Sequence, residues 1–321
     1  MSTEAIEPNL TDIRKAQLRE ENEIVAPFRA TISWRLIIEF VFTWGAFAAA
    51  FVLAATGRIS LWVAFPICVL SSAMIYMPLH ESVHKNVAGD NPKMQWLNEL
   101  VGRMSGMIFT FGLTQHRLSH LKHHAHTNVS GKDPDMVLSG DPKRIPGSAV
   151  LMSVMSLLTP VFALIPATRK FIPKWVGKRL GADSRAEMDV QDMKLRVKRS
   201  FIDIFVLIGF SIAGLAPEIL LLWYVATRVA FMWVAFIFGW YPHHPHQETE
   251  RYRDTRVATF FGSTLLIRGH DHHLLHHLYP RVVHYKLPKL WANIEPVMVA
   301  RGARIEGNAS RDGLAIQWSA H

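Results

Sequence analysis

The sequence predicts an all-α integral membrane protein: two transmembrane helical hairpins, four spans in all, with a cytosolic helical cap that gathers histidines. Three observations predict it. Half of the 321 residues are hydrophobic. They concentrate in runs with few or no charges, and a bilayer is crossed by about 20 such residues. Sixteen of the 17 histidines lie between residues 80 and 284, in tight clusters that begin where apolar runs end.

In chain order, residues 1–30 are polar and mixed in charge, a cytosolic N-terminal segment expected to be helical over 11–23, with no cleavable signal pattern. The first hairpin spans roughly 34–56 and 60–79. Residues 36–56 carry only Glu39, and 61–79 carry no charge and run directly into His80. Residues 85–145 form part of the cap. The uncharged stretch 147–168, broken by Pro160 and Pro166, reads as interfacial or re-entrant. A fifth crossing there would put the second and third histidine clusters on opposite sides of the bilayer. A charged helix over 184–198 follows. The second hairpin spans roughly 200–216 and 219–241, where Asp203 must snorkel or face protein and Arg228 must find a polar partner. Residues 31–300 make one membrane domain, and 301–321 a C-terminal tail.

Orientation follows from Lys and Arg, which favour the cytoplasmic side. The 80–200 loop holds Arg169, Lys170, Lys174, Lys178, Arg179, Arg196, Lys198 and Arg199, whereas the short hairpin turns hold only Arg58. Both termini and every histidine cluster are therefore expected in the cytoplasm. The net charge of +9 then reads as topogenic and lipid-facing. No nucleic-acid partner is expected, since basic residues do not alternate with aromatics as in single-strand binders. A single cysteine, Cys68, lies inside a span. It excludes internal disulfides and cysteine-rich metal sites, and reads as a small buried hydrophobe.

The histidine spacing carries the chemistry. On a helix, residues i, i+3 and i+4 share a face. His80 and His84 have the i, i+4 spacing; His120, His123 and His124 have i, i+3, i+4, and His273, His276 and His277 repeat it. Each cluster is expected to point two or three ring nitrogens at one place. Residues 243–246 (HHPH) offer a ninth ring through His243, His244 or His246. That total suits two first-row metal ions and exceeds the four ligands of a single zinc. Glu81, Asp133, Asp135 and Asp271 are the carboxylates placed to orient ligand rings. His116, His126, His270, His272 and His284 are surplus to the count. His116, one turn before His120, could join it as a ligand or as a donor to one.

Three classes compete. HESVH at 80–84 fits the H-E-x-x-H of zinc proteases, but that leaves the clusters at 120 and 273 without a role. Metal transporters hold their ligands near the membrane midplane on broken helices, whereas these histidines stand just past span ends. A carboxylate di-iron bundle needs two Glu-x-x-His pairs, and of the clusters only Glu81 and His84 have that spacing. What remains is a histidine-ligated di-iron site in the cap, for oxidation of unactivated C–H bonds in a membrane substrate.

The three boxes, the phrase HHLYP (276–280), HHAHTNVSGKDPD (123–135) and GWYPHHPH (239–246) resemble the membrane fatty acid desaturase superfamily. Within it they resemble the bacterial branch that includes β-carotene-hydroxylase-like proteins. The resemblance covers about residues 35–300. It implies a non-heme centre of two Fe ions with O2 as co-substrate, and His80, His84, His120, His123, His124, His273, His276 and His277 as ligands. A further histidine after the last span is assigned to His243, with His244 and His246 as alternatives. Where some members carry an Asn that reaches iron through water, this chain has Gly239. The implied reaction is fatty acyl desaturation, with β-ring carotenoid hydroxylation as the alternative on the same site. The implied location is a bacterial inner (cytoplasmic) membrane. The chain has no room for a fused electron carrier, so a separate ferredoxin, rubredoxin or cytochrome is expected to supply electrons. Met74, Phe231, Trp233 and Phe236, from spans two and four, are candidate walls of a lipid channel, though a stripe at helical spacing more often serves packing or lipid contact.

Overall fold

A computed structural model describes residues 10–29, 31–179 and 190–318. Residues 1–9, the start of the expected 184–198 helix, and His321 lie outside them. The helices are α1 (Leu10–Val25), α2 (Trp34–Ala55), α3 (Leu61–Val83), α4 (Gln95–Phe109), α5 (Leu113–Ala125), α6 (Ile145–Leu164), α7 (Lys174–Arg179) and α8 (Val190–Ile212). They continue with α9 (Ala216–Trp240), α10 (Ser263–Leu266), α11 (His273–Leu278) and α12 (Leu287–Ala300). Among the described residues the only sheet is a parallel pair, β1 (Val257–Thr259) with β2 (Ile305–Gly307), in which Ala258 faces Glu306.

The first hairpin forms as expected. Ser33 caps α2 by accepting from the Leu36 amide, and Ser60 caps α3 by accepting from Val63. These side chains satisfy amides that a helix start leaves unpaired. Gly57 takes φ +70° in the turn between them. Trp34, Ile38, Phe42, Trp62 and Leu70 stand exposed along the pair, an apolar surface that needs lipid rather than water to cover it.

Four helices are long and apolar enough to cross a membrane: α2, α3, α9 and the stretch Pro142–Leu164 that contains α6. The last corrects the expected third span. The helix expected at 200–216 is the second half of α8, which ends at Ile212 just before Gly214 at φ +82°. Its first half carries Lys194, Arg196, Lys198 and Arg199, so it lacks an apolar run of bilayer length. α6 packs against α8 and α9. Asp203 is buried and paired with Arg199 at 2.6 Å. Arg228 donates to Thr110 Oγ1 at 2.5 Å and lies over the Tyr224 ring. Both charges thus found the partners their position demands. Cys68 is fully buried.

α9 contains two π-helical stretches, Ile219–Val225 and Ala235–Trp240. The second ends three residues before His243. Side chains of α9 also finish α4: Trp223 Nε1 donates to the Met107 and Ile108 carbonyls, and Thr227 Oγ1 donates to that of Ile108. These bonds satisfy carbonyls that the α4 C-terminus leaves free. The turn into α5 is tight enough that a Cβ on Gly106 would lie 2.2 Å from the Phe111 carbonyl oxygen. Beyond the spans, Val25, Leu274, Leu275, Leu290, Ile294 and Met298 form a second, smaller core that joins α1, α11 and α12.

Candidate metal centre

Box one ends α3, box two fills the second half of α5, His243 follows α9, and box three is α11. The fold brings them together. Ligand atoms of His80, His84, His120 and His276 all lie within 4.8 Å of one another, and so do those of His123, His243, His273 and His277. Close approaches join different segments: His80 Nε2 to His276 Nε2 at 3.1 Å, His84 to His120 at 2.9 Å, and His243 to His273 at 3.1 Å. His124 stands between the groups. Its Nε2 is 2.9 Å from that of His120, and its ring stacks on His277 at 4.1 Å.

The boxes do not each converge on one point, as spacing suggested. Box two sends His120 to one group and His123 to the other, and box three sends His276 to one and His273 and His277 to the other. Consecutive residues on a helix point about 100° apart, so one short helix faces two neighbours. Because His124 and His243 meet in one site, the chain between them crosses the bilayer an even number of times. α6, α8 and α9 therefore cannot all three cross.

The donor set fits metal. His80 Nδ1, His243 Nδ1, His273 Nδ1, His276 Nδ1 and His277 Nε2 are buried without a hydrogen-bond partner. Each unmade buried bond costs about 1–3 kcal/mol. Burial and neighbouring imidazoles hold His243, His273, His276 and His277 well below the usual histidine range. They are neutral near pH 7, as metal ligands must be.

His123 differs. Burial lowers it, but Asp135 and Asp133 outweigh burial and raise it to about 9. Asp133 accepts from His123 Nδ1 at 2.8 Å, and also from the amides of Asn128 and Asp135. Asn128 in turn donates to the Glu248 and Asp254 carbonyls, which ties this loop to the segment after His243. Asp133 is thus the orienting carboxylate anticipated from sequence, with Asp135 farther off at 3.7 Å. Asp133→Asn keeps an acceptor for Nδ1 but removes the charge. It is expected to weaken metal affinity about 10- to 100-fold, measured by competition with a chelator.

The other two carboxylates hold histidines outside these groups. Glu81 accepts from the His284 amide, His284 Nδ1 and Asn86 Nδ2, so it fastens the chain after box three to α3. A general base in the zinc-protease manner would need that carboxylate free. Asp271 accepts from Ser263, Thr264 and His272 Nδ1. Spacing cannot report such choices, because they depend on which loop folds over the carboxylate.

His243 is the member of 243–246 that joins a group; His244 instead stacks on Trp240 at 4.4 Å. Gly239 faces Leu138, whose Cδ1 would lie 2.3 Å from an added Cβ, so an Asn there is sterically opposed. His116 stacks on His120 and Phe111. Met74 and Trp233 are exposed on the outer surface and wall no interior channel. Phe236 stacks on Trp240, and Phe231 meets Phe109 and Phe111.

Two features escaped sequence reasoning. His270, set aside as surplus, is fully buried with its ring 4.9 Å from His273, 5.3 Å from His80 and 4.0 Å from Phe238. Thr127 Oγ1 lies 3.2 Å from His277 Nδ1. Its place one turn after His123 was the available signal. On the membrane side of the rings, Tyr76 packs against His80, Phe109 and Phe238.

Spans, convergent buried imidazoles and an orienting carboxylate define an integral membrane protein with a histidine-lined metal site. The profile of the fatty acid desaturase family matches residues 57–307, and the chain belongs to that family. No curated protein matches it at a significant level.

Proposed function

We propose that this protein oxidises unactivated C–H bonds of a membrane lipid at a non-heme centre of two iron ions. Its ligands are His80, His84, His120, His123, His124, His243, His273, His276 and His277, and its reaction is fatty acyl desaturation. The observation that carries this reading is the meeting of nine imidazoles from four separate segments: the end of the span α3, the helix α5, the residues just after the span α9, and α11. Eight or more nitrogen donors exceed what one zinc takes. The bound iron supplies what no side chain here can, removal of hydrogen from an unactivated C–H bond with O2 as oxidant. The chain's own residues prepare the place. Asp133 fixes the ring of His123, and Thr127 faces Nδ1 of His277. Tyr76, Phe109 and Phe238 offer an apolar, water-poor approach from the membrane side. Desaturation takes two hydrogens from the chain, so reduction of O2 to water draws two further electrons from a separate ferredoxin, rubredoxin or cytochrome. With α2, α3, α6 and α9 as spans, the site's side carries most of the Lys and Arg although those of 169–199 fall on the opposite side, and this balance favours a cytoplasmic site and cytoplasmic termini. The family resemblance favours a bacterial inner membrane.

Ring hydroxylation of a carotenoid is the second reading, favoured by the sequences at 123–135 and 239–246. Both reactions share the first hydrogen removal and differ in whether a second follows or a hydroxyl is added. Lipid and pigment profiles of an expressing host, against a His277→Ala control, decide between them. A new acyl double bond supports desaturation, and a new hydroxylated carotenoid supports the alternative. Profiles identical to the control reject both.

A further inference from the structure

Residues 260–268 have no part in the metal centre, yet they carry some of the most exposed apolar side chains in the protein. Phe261 is 97% exposed, Leu265 84% and Leu266 54%. The segment is a compact turn: Gly262 at φ +80° leads into the four-residue α10, and Arg268 at φ 56° and Gly269 at φ +82° end it. A large apolar tip in water would be a liability, so its depth relative to the spans decides what covers it.

That depth is fixed by a defect in α3. Pro78 has no N–H, which leaves the carbonyl of Met74, four residues earlier, without its helical partner. Arg268 Nη1 donates to that carbonyl at 2.8 Å. The same guanidinium pairs with Glu39, the one charge on α2 after Arg35. Glu39 is five residues in from Trp34, and Met74 is five residues back from Leu79, the last apolar residue before His80. At 1.5 Å per residue both points lie about 7–8 Å inside the spans. An ion pair and a bare carbonyl at that depth satisfy each other, as a low-dielectric setting requires. Apolar faces that lie in a membrane interface sink by about 5–10 Å. The surface beside the turn is the lipid-facing side of α2 and α3, with Ile38, Phe42, Leu70 and Met74 exposed.

We propose that residues 260–268 form a wedge sunk into the bilayer interface beside α2 and α3, with the acyl chains of the surrounding leaflet as its partner. Arg268 is its anchor, and Phe261, Leu265 and Leu266 are its lipid contacts. Through the buried Ile267 the wedge runs directly into His270 and α11, so the segment carrying box three is seated on lipid. The inference does not depend on which reaction the centre performs.

The test uses site-specific labelling of the full chain in lipid vesicles. The one native cysteine, Cys68, is fully buried, so Phe261→Cys and Leu265→Cys can each carry an environment-sensitive fluorophore. Arg311→Cys, on an exposed residue of the C-terminal segment, is the aqueous control. Labels at 261 and 265 are expected to emit at shorter wavelength than the control. They should lose most of their emission to lipids bearing a nitroxide near the headgroup end of the acyl chain, and little to aqueous iodide. Quenching by iodide and not by nitroxide lipid overturns the proposal. Protection from both quenchers also overturns it and identifies a second copy of the chain as the cover. Iron content and activity are not read, so this result stands apart from the fate of the proposed reaction.

Discussion

Replacing His276 by alanine is expected to abolish turnover and lower bound iron from about two ions per chain to one or fewer. The ring is fully buried, its Nε2 is 3.1 Å from that of His80, and its centroid is 4.9 Å from those of both His84 and His124. Removing it takes a donor from one group of four that already lies at a metal's working number. Losing a neighbour that merely orients a ligand costs about 10- to 100-fold, so losing the ligand should cost more. His126→Ala is the control. That residue caps α5 one turn past His123 and joins neither group, and its replacement should leave iron content near that of the parent. Circular dichroism and gel filtration of both variants separate metal loss from unfolding. A His276→Ala protein that is folded, carries the parental iron and remains active would remove His276 from the proposed ligand set.

Metal-free protein is expected to lose stability steeply as pH falls below about 6.5. Six rings outside the spans drive this: His120, His124, His243, His273, His276 and His277. Burial and then neighbouring imidazoles hold each well below the usual histidine range. In the unfolded chain the same rings take up protons near pH 6.5, so below that pH the unfolded state binds more protons than the folded one. Stability is then full above pH 6.5 and lost as pH falls, by up to ~1.4 kcal/mol per pH unit for each ring. His123 has the opposite sign. Raised to about 9, it stabilises the fold fully below pH 6.5 and loses that contribution as pH rises towards 9. One ring against these six, and against His116, His246 and His270, which burial also lowers, leaves acid destabilisation as the net result. Thermal unfolding of iron-stripped protein at about pH 7.5 and about pH 5.5 measures it. An unfolding temperature that does not change between the two would contradict the neutral, buried placement of these rings. Iron restored at the higher pH should raise the unfolding temperature, because a ligand bound only by the folded state stabilises it.

The hairpin of α2 and α3 was legible because its signal is local: two nearly uncharged runs of bilayer length with a short turn between them. Eight of the histidines were legible for a similar reason, since i, i+3 and i+4 spacing survives in any helix; the ninth, His243, was implied only by the family resemblance, with His244 and His246 open beside it. α6 and α8 were not. Hydropathy scores the apolar half of α8 well, but only the folded helix shows that half continuous with a charged one and ending at Ile212. The carboxylates divide the same way. Asp133 lies near its ring in sequence, while Glu81 meets His284 from 203 residues away.

Residue types and their spacing, by themselves, indicated a membrane protein rich in potential metal ligands, with eight histidines at helical spacing among them. Short-range periodicity and composition are properties of the chain before it folds. Tertiary structure alone decided how the rings are shared between two groups, which carboxylate steadies which imidazole, and that Arg268 fills the gap Pro78 leaves in α3. Those outcomes are contacts between segments up to about two hundred residues apart. Close packing chooses them, and no local pattern encodes them.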